Sequence, residues 1–160
     1  MKNKILYDHT LIIDELEKSI KFHNLNSILA FLPKESYLVG GFIRDIILRR
    51  VTEQVDVDIV VPFNAIEIGK QIAANIGSKF IILDKKREVV RIILNNIYVD
   101  IANHASSTIE EDLNSRDFSI NSIAFLFDKK CLFDPLNGLK DLELSILRTH
   151  SEKNLLNDPL

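Results

Sequence analysis

The fold of this chain is decided by two neighbouring segments, Val39-Gly40-Gly41-Phe42-Ile43-Arg44-Asp45 and Val55-Asp56-Val57-Asp58-Ile59-Val60-Val61. In the first, a glycine pair precedes a predicted helix, and Arg44 lies about one turn inside it. In the second, β-branched residues predict a strand. Because side chains alternate between the two faces of a strand, Asp56 and Asp58 are expected to point the same way. Two carboxylates on one face repel each other unless a cation neutralises them, so the pair indicates a magnesium site for phosphoryl chemistry.

Composition is that of one globular domain, with or without a short appendage. The chain has 160 residues, of which 46% are hydrophobic and 27% charged, and its net charge of −3 gives no global basic field for nucleic acid. The single cysteine, Cys131, excludes an internal disulfide, so a reducing compartment is expected. Residues 1–8 lack the apolar stretch of a secretory signal, and no apolar run reaches the length of a membrane span. We therefore predict a cytoplasmic protein with no membrane partner.

The spacing of apolar residues and helix breakers predicts mixed helices and strands. Helices are expected at 10–32 (two, divided near Asn24 and ended by Pro33), 42–49, 64–76 and 139–147. Strands are expected at 36–39, 56–61, 79–83, 89–94 and 97–101, with Asn95-Asn96 as a hairpin turn between the last two. Residues 108–114 read as a loop or short helix, and 117–127 as a buried segment that is either helix or strand. The expected fold is α/β or α+β, a small mixed sheet flanked by helices, and not a doubly wound sheet.

Asp100 is a third candidate carboxylate. It ends a predicted hairpin strand that could lie beside the strand of Asp56 and Asp58, and three carboxylates on adjacent strands suit a two-metal arrangement. A strand-terminal residue in solvent explains Asp100 equally well. Gly41 and Arg44 are the candidate phosphate contacts, because a helix start attracts phosphate and a guanidinium adds to that attraction.

Two groups of basic residues have open interpretations. Arg116-Asp117 precedes an apolar element, as Arg44-Asp45 does, and is either a nucleotide contact or a local ion pair. Lys85-Lys86-Arg87 with Arg91 is either solvated surface or a phosphate contact.

Five motifs, weak one by one, occur in an order that resembles a known family. They are Leu38-Val39-Gly40-Gly41-x-x-Arg44-Asp45, Asp56-x-Asp58, Val99-Asp100-Ile101-Ala102, Arg116-Asp117-Phe118-Ser119-Ile120-Asn121 and Phe133-Asp134-Pro135-x-x-Gly138-x-x-Asp141-Leu142. From about residue 36 to 160 the chain resembles the head of bacterial tRNA nucleotidyltransferases (CCA-adding enzymes) and related bacterial poly(A) polymerases. These form the class II branch of the polymerase β-like nucleotidyltransferase superfamily. The resemblance implies the fold of that head.

The resemblance also implies roles for individual residues. Asp56 and Asp58 would hold magnesium, Gly41 and Arg44 would hold the triphosphate, and Arg116 would contact the incoming nucleotide. Asp100 matches a position that is often acidic and is carried as a further candidate metal ligand. Ser115 is a departure, because the family usually has a second arginine there.

The end of the chain matches the opening of a neck motif that reads the base in this family. Asn157-Asp158-Pro159-Leu160 matches its first residues, so Asp158 is a candidate nucleotide contact. The arginines expected next do not follow, and we therefore expect a fragment of a longer protein. Its expected divisions are an N-terminal helical extension at 1–33, the nucleotidyltransferase head at 34–150 and the start of a neck segment at 151–160.

The implied function is template-independent addition of nucleotides from ATP and CTP to the tRNA 3′ end, with release of pyrophosphate. CCA, CC and A addition remain open as products. The alternatives are a bacterial poly(A) polymerase and a nucleotide-binding regulatory module without turnover. A small-molecule nucleotidyltransferase is disfavoured by the Arg116-Asp117-Phe118 motif and by the Asp158-Pro159-Leu160 ending, since both resemble the RNA-directed family.

Overall fold

The computed structural model describes residues 8–50, 53–104 and 108–149. The helices in these ranges are α1 (His9–Phe22), α2 (Asn26–Leu29), α3 (Gly41–Ile47), α4 (Ala65–Ile76), α5 (Ile109–Asn114) and α6 (Gly138–Leu144). The strands are β1 (Tyr37–Val39), β2 (Val55–Val61), β3 (Lys79–Asp84), β4 (Val89–Leu94), β5 (Ile97–Asn103), β6 (Ala124–Leu126) and β7 (Cys131–Phe133). A short 3₁₀ turn, Ser119–Asn121, precedes β6.

All seven strands form one mixed sheet in the order β3-β4-β5-β2-β1-β6-β7. Among the described strands only β2 and β5 run parallel, and the other neighbouring pairs are antiparallel. Because β2 is central, its backbone is hydrogen-bonded to β1 on one side and to β5 on the other, which fixes the direction of its side chains. The mixed sheet confirms the predicted fold class.

Strand β2 separates the core from the candidate site. Val55, Val57 and Ile59 are buried in the main hydrophobic core, whereas Asp56 is exposed and Asp58 is half-buried. The alternation predicted from sequence is therefore present. Burial of each such apolar side chain contributes roughly 1.5–3 kcal/mol, which holds the strand in this register and not one residue out of it.

The N-terminal helices pack into this same core. Ile12, Leu16 and Ile20 of α1 are buried in it together with Ile43 and Ile47 of α3. Asp8 caps α1, because its Oδ1 accepts a hydrogen bond from the Thr10 amide at 2.8 Å. The division of the chain near residue 33 stays a prediction.

The predicted elements occur with a few differences. The second N-terminal helix is a single turn, and the ambiguous segment 117–127 contains the 3₁₀ turn followed by β6. Strand β7 was not expected, since three residues are too few to show a strand periodicity. Along the described ranges, the helices are too short or too polar to span a bilayer.

Candidate active site

The bend at Gly40 lies close to Asp58, a candidate metal ligand, and to Arg116, a candidate nucleotide contact. Gly40 has φ +78° and ψ −144°, a backbone conformation that residues other than glycine rarely adopt. Helix α3 begins at the next residue. A Cβ atom placed on Gly40 would lie 3.0 Å from Oδ2 of Asp58 and 3.2 Å from Nη1 of Arg116. Residues far apart in sequence therefore meet at this bend.

Asp56 and Asp58 line a pocket of about 440 Å³ with Gly41 and Arg44. Burial raises the pKa of the Asp58 carboxyl above its ordinary value; the charges of Asp100 and Asp56 raise it further, and Arg116 opposes them. Even with Arg116 nearby, burial leaves the ionised carboxylate less favourable than in water, and added positive charge would counter this effect. A divalent cation would supply that charge.

Asp100 lies directly beside Asp58, since the two residues are opposite each other in the β2–β5 pair. Both of its carboxylate oxygens, however, accept hydrogen bonds from Arg91, from Nε at 2.7 Å and from Nη2 at 2.8 Å. Within the described part of the chain there is no group of three or more histidine, cysteine, aspartate or glutamate side chains arranged to hold a metal ion. Of the three candidate metal ligands, Asp56 and Asp58 line the pocket, whereas the third pocket carboxylate, Asp45, is bound by Arg44.

Arg44 is held in place by three side-chain contacts. Its Nε and Nη2 donate to the two oxygens of Asp45 at 2.9 and 3.0 Å, and Nη1 donates to Oδ1 of Asn121 at 2.7 Å. Asn121 in turn donates to Asp117 at 3.2 Å. This network links the start of α3 to the segment after α5, and it fixes the guanidinium at the pocket wall.

Arg116 follows α5, and its guanidinium lies close to Gly40. Its Nη2 lies 3.5 Å from Oδ2 of the buried Asp112. The ion pair seen here joins Arg116 to Asp112, whereas the local pair considered from sequence was with Asp117. The same guanidinium also lies near Gly40 and Asp58. Asp158, the remaining candidate, lies outside the described residues.

The segment that carries Arg116 and Asn121 is hydrogen-bonded to Asp141 of α6. The carboxylate of Asp141, 1% exposed, accepts hydrogen bonds from Ser119 Oγ at 2.6 Å and from Arg148 Nε at 3.0 Å. The Ser119 amide donates to the Arg148 carbonyl at 2.9 Å. Asp141, which belongs to the last of the five motifs, therefore ties Ser119 and Arg148 together.

Sequence analysis missed two residues that shape the site, Arg91 and Asn121. The sequence places Arg91 in a basic cluster that is either solvated surface or a phosphate contact. Its pairing with Asp100 follows instead from the register of the β4–β5 hairpin. A two-residue turn places Leu94 opposite Ile97, and counting outward along the ladder puts Arg91 opposite Asp100. For Asn121, which contacts Arg44 from 77 positions away, no local signal exists.

A second pocket, of about 480 Å³, lies between the N-terminal helices and the β6–β7 hairpin. Its lining includes Lys21, Leu29, Phe125 and Lys130 but none of the candidate site residues. The chemistry therefore belongs to the smaller pocket.

The site combines hard oxygen donors with fixed guanidinium groups. Carboxylate oxygens are the ligands that magnesium prefers, and guanidinium groups bind phosphate oxygens. Such a site can hold a cation and a polyphosphate together at one bend.

Comparison with known proteins agrees with this geometry. The family model of the poly A polymerase head domain matches residues 36–148. A CC-adding tRNA nucleotidyltransferase from Synechocystis sp. is 41% identical over 82% of this chain and 32% of its own length, and an A-adding tRNA nucleotidyltransferase from Deinococcus radiodurans is 36% identical over 80% and 28%. A solved CCA-adding enzyme with ATP has a TM-score of 0.76 at 29% identity, over 98% of this chain and 40% of that chain.

This chain spans about a third of the length of the curated relatives that it matches. The matched part contains the sheet, the glycine bend and the two aspartates, in a polymerase β-like nucleotidyltransferase fold. The chain belongs to the poly A polymerase head domain family, the head of the class II tRNA nucleotidyltransferases.

Proposed function

We propose that this chain is the catalytic head of a template-independent RNA nucleotidyltransferase that adds nucleotides from ATP and CTP to the tRNA 3′ end and releases pyrophosphate. The observation that carries the proposal is the approach of Gly40 to Asp58 and Arg116, at 3.0 and 3.2 Å from a Cβ atom built on the glycine. It unites the candidate metal, phosphate and nucleotide contacts in one place. The names of the relatives, CC-adding and A-adding tRNA nucleotidyltransferase, supply the substrate class.

The residues present fit a divalent cation, and we propose magnesium. Asp56 and Asp58 offer oxygen donors on one face of β2. Burial raises the pKa of Asp58 although Arg116 lies nearby, so a cation would stabilise the ionised form that burial disfavours. When bound, the ion would supply charge neutralisation and lower the barrier to deprotonating the attacking RNA 3′ hydroxyl.

The arginines of the site are proposed to bind the nucleotide. Arg44, at the pocket wall with Gly41, is placed to contact the triphosphate, and its bonds to Asp45 and Asn121 keep it oriented. Arg116 is proposed to contact the incoming nucleotide. Positively charged groups fixed before the reaction offset charge that develops on the departing pyrophosphate without a reorganisation cost.

We also propose how the chain is divided into a head, an N-terminal extension and a neck. The head is assigned to 34–150, the helices before it to an extension at 1–33, and residues 151–160 to the beginning of a neck in which Asp158 contacts the base. A cytoplasmic location is proposed with it, because the proposed RNA and nucleotide substrates are found there.

The test uses the full-length protein with two tRNAs, one that ends at the discriminator base and one that ends in CC, and each labelled nucleotide separately and together. Extension by one, two or three residues is the expected result, and its length and label identify A, CC or CCA addition. A lack of incorporation with every nucleotide, in a protein that still binds ATP, would favour the regulatory module instead.

A poly(A) polymerase is the second candidate, favoured by the description of the matching family model. The same reaction separates it, since long A tracts on several unrelated RNAs would replace the short product on tRNA.

A further inference from the structure

Arg91 and Asp100 form the most tightly defined ion pair near the site. Nε donates to Oδ1 at 2.7 Å and Nη2 to Oδ2 at 2.8 Å, and the two side chains are 34% and 22% exposed. Two parallel bonds between a guanidinium and a carboxylate are stronger and more directional than a single contact. The guanidinium carbon also lies 5.2 Å from the centre of the Tyr98 ring, which holds the arginine from a second direction.

The pair belongs to a row of charges that crosses the sheet. Arg91 on β4 lies opposite Asp100 on β5, and Asp100 lies opposite Asp58 on β2. Asp100 is therefore the middle residue, with the guanidinium on one side and the metal-facing carboxylate on the other. Burial is the main cause that raises the pKa of Asp58. The charge of Asp100 raises this pKa further, and the charge of Arg91 lowers it.

For Asp100 to ligate a metal ion, it would have to share or give up bonds to Arg91. A dication at its oxygens would also come close to the guanidinium, and two positive groups so near each other repel. Giving up the arginine would lose the two charge-assisted hydrogen bonds of the pair.

We propose that Arg91 is a positioning residue that keeps Asp100 out of the metal coordination sphere, so that Asp56 and Asp58 are the only carboxylate ligands that the head supplies. This inference rests on the proposed metal role of Asp56 and Asp58. It assigns to Asp100 a different task, which is to hold a positive charge beside the site.

The test is a titration of the nucleotide-free full chain with Mn²⁺, followed by electron paramagnetic resonance of the unbound ion. The variants are Arg91→Met, Asp100→Asn and the double substitution. Asp100→Asn alone is ambiguous, because it leaves the Arg91 charge uncompensated and weakens metal binding under either view. The double variant removes both partners without a change in net charge, and it is therefore the decisive one.

We expect Arg91→Met to bind Mn²⁺ several-fold more tightly, since it removes a repelling charge and releases a carboxylate. The double variant should bind within about twofold of the original protein. Arg87→Met is the matched control, because Arg87 is 82% exposed in the β3–β4 turn and lies 3.7 Å from Asp84; it should bind as the original protein does.

A double variant that binds Mn²⁺ more weakly by about tenfold or more would overturn the inference, because Asp100 would then support metal binding. A loss of about 10–100-fold is typical even for outer-shell partners of a metal. An unchanged affinity in Arg91→Met would overturn it as well. Asp56→Asn separates this from the proposed function: if neither the original protein nor that variant binds Mn²⁺, the metal role itself fails. Circular dichroism on each variant verifies the fold, and the double variant keeps the test valid if Arg91→Met does not fold.

Discussion

Gly40 and Asp58 meet so closely that only a hydrogen atom fits between the backbone of one and the carboxylate of the other. A Cβ atom on Gly40 would lie 3.0 Å from Asp58 Oδ2. This contact joins the end of β1 to the middle of β2 at the point where the chain turns into α3. A change at the glycine therefore acts on the carboxylate directly.

Gly40→Ala should destabilise the protein by about 1–3 kcal/mol, because φ +78° with ψ −144° is strained for any residue with a side chain. It should also lower the rate of nucleotide transfer, since the new methyl group displaces Asp58 and Arg116. Unfolding curves and single-turnover kinetics measure the two effects. Gly77→Ala is the control: φ there is +67°, and nothing lies within 4 Å of the added Cβ, so stability should fall while transfer stays unchanged. Equal loss of transfer in both variants would contradict the proximity argument.

Asp56→Asn and Asp58→Asn should each reduce kcat by about a hundredfold or more, a loss typical of removing a charged group that acts on the transition state. The isosteric amide keeps the shape and removes the charge that binds the cation. Asp14→Asn, on the exposed face of α1, is the control for the loss of one negative charge. Transfer by either variant at the original rate, with the fold verified, would remove the metal role.

The sequence predicts those features of the site that depend on residues close together in the chain. Alternation in β2 orients Asp56 and Asp58, and the turn Asn95-Asn96 sets the β4–β5 ladder, so the position of Asp100 follows from counting. The contact between Arg44 and Asn121 does not follow, because it depends on how a loop crosses the sheet. The same is true of the position of the 3₁₀ turn at Ser119–Asn121, because Ser119 is bonded to Asp141 and Arg148, which lie far along the chain.

Asn121→Ala should raise KM for the nucleoside triphosphate by about tenfold and change kcat less. The bond from Arg44 Nη1 to Asn121 Oδ1 is 2.7 Å long, and hydrogen bonds to charged groups contribute roughly 1.5–3 kcal/mol, of which part is recovered by water. Without it the guanidinium keeps Asp45 but loses its fixed direction toward the pocket. Initial rates at varied ATP and CTP, with direct binding of ATP, measure the change.

The control for that substitution is Asn75→Ala. Asn75 is exposed on α4 and its amide donates to the Gln71 carbonyl at 2.8 Å, so the same chemical change is made away from the site. A KM that rises equally in both variants, or in neither, would refute the role of Asn121.

Asp58 should make the metal-free protein less stable at neutral pH than in mild acid. Burial is the main cause that raises the pKa of this carboxyl above its ordinary 3.8, with Asp100 and Asp56 adding to it. A group whose pKa is higher in the folded state binds its proton more tightly there. Its ionised form therefore destabilises the fold above the folded pKa, and this effect fades as the pH falls toward 3.8.

Asp58→Asn removes that ionised form and should raise the unfolding temperature of the metal-free protein at neutral pH, by about 2–4 °C for each kcal/mol relieved. The gain should shrink as the pH is lowered through the folded pKa of Asp58. Magnesium should raise the unfolding temperature of the original protein and not that of Asp58→Asn, because a ligand stabilises only the state that binds it. Scanning calorimetry across the pH range measures all three effects, with exposed Asp14→Asn as the control for charge removal. If Asp58→Asn instead lowers the unfolding temperature at neutral pH, Asp58 is already compensated by Arg116, and the site has no unmet need for a cation.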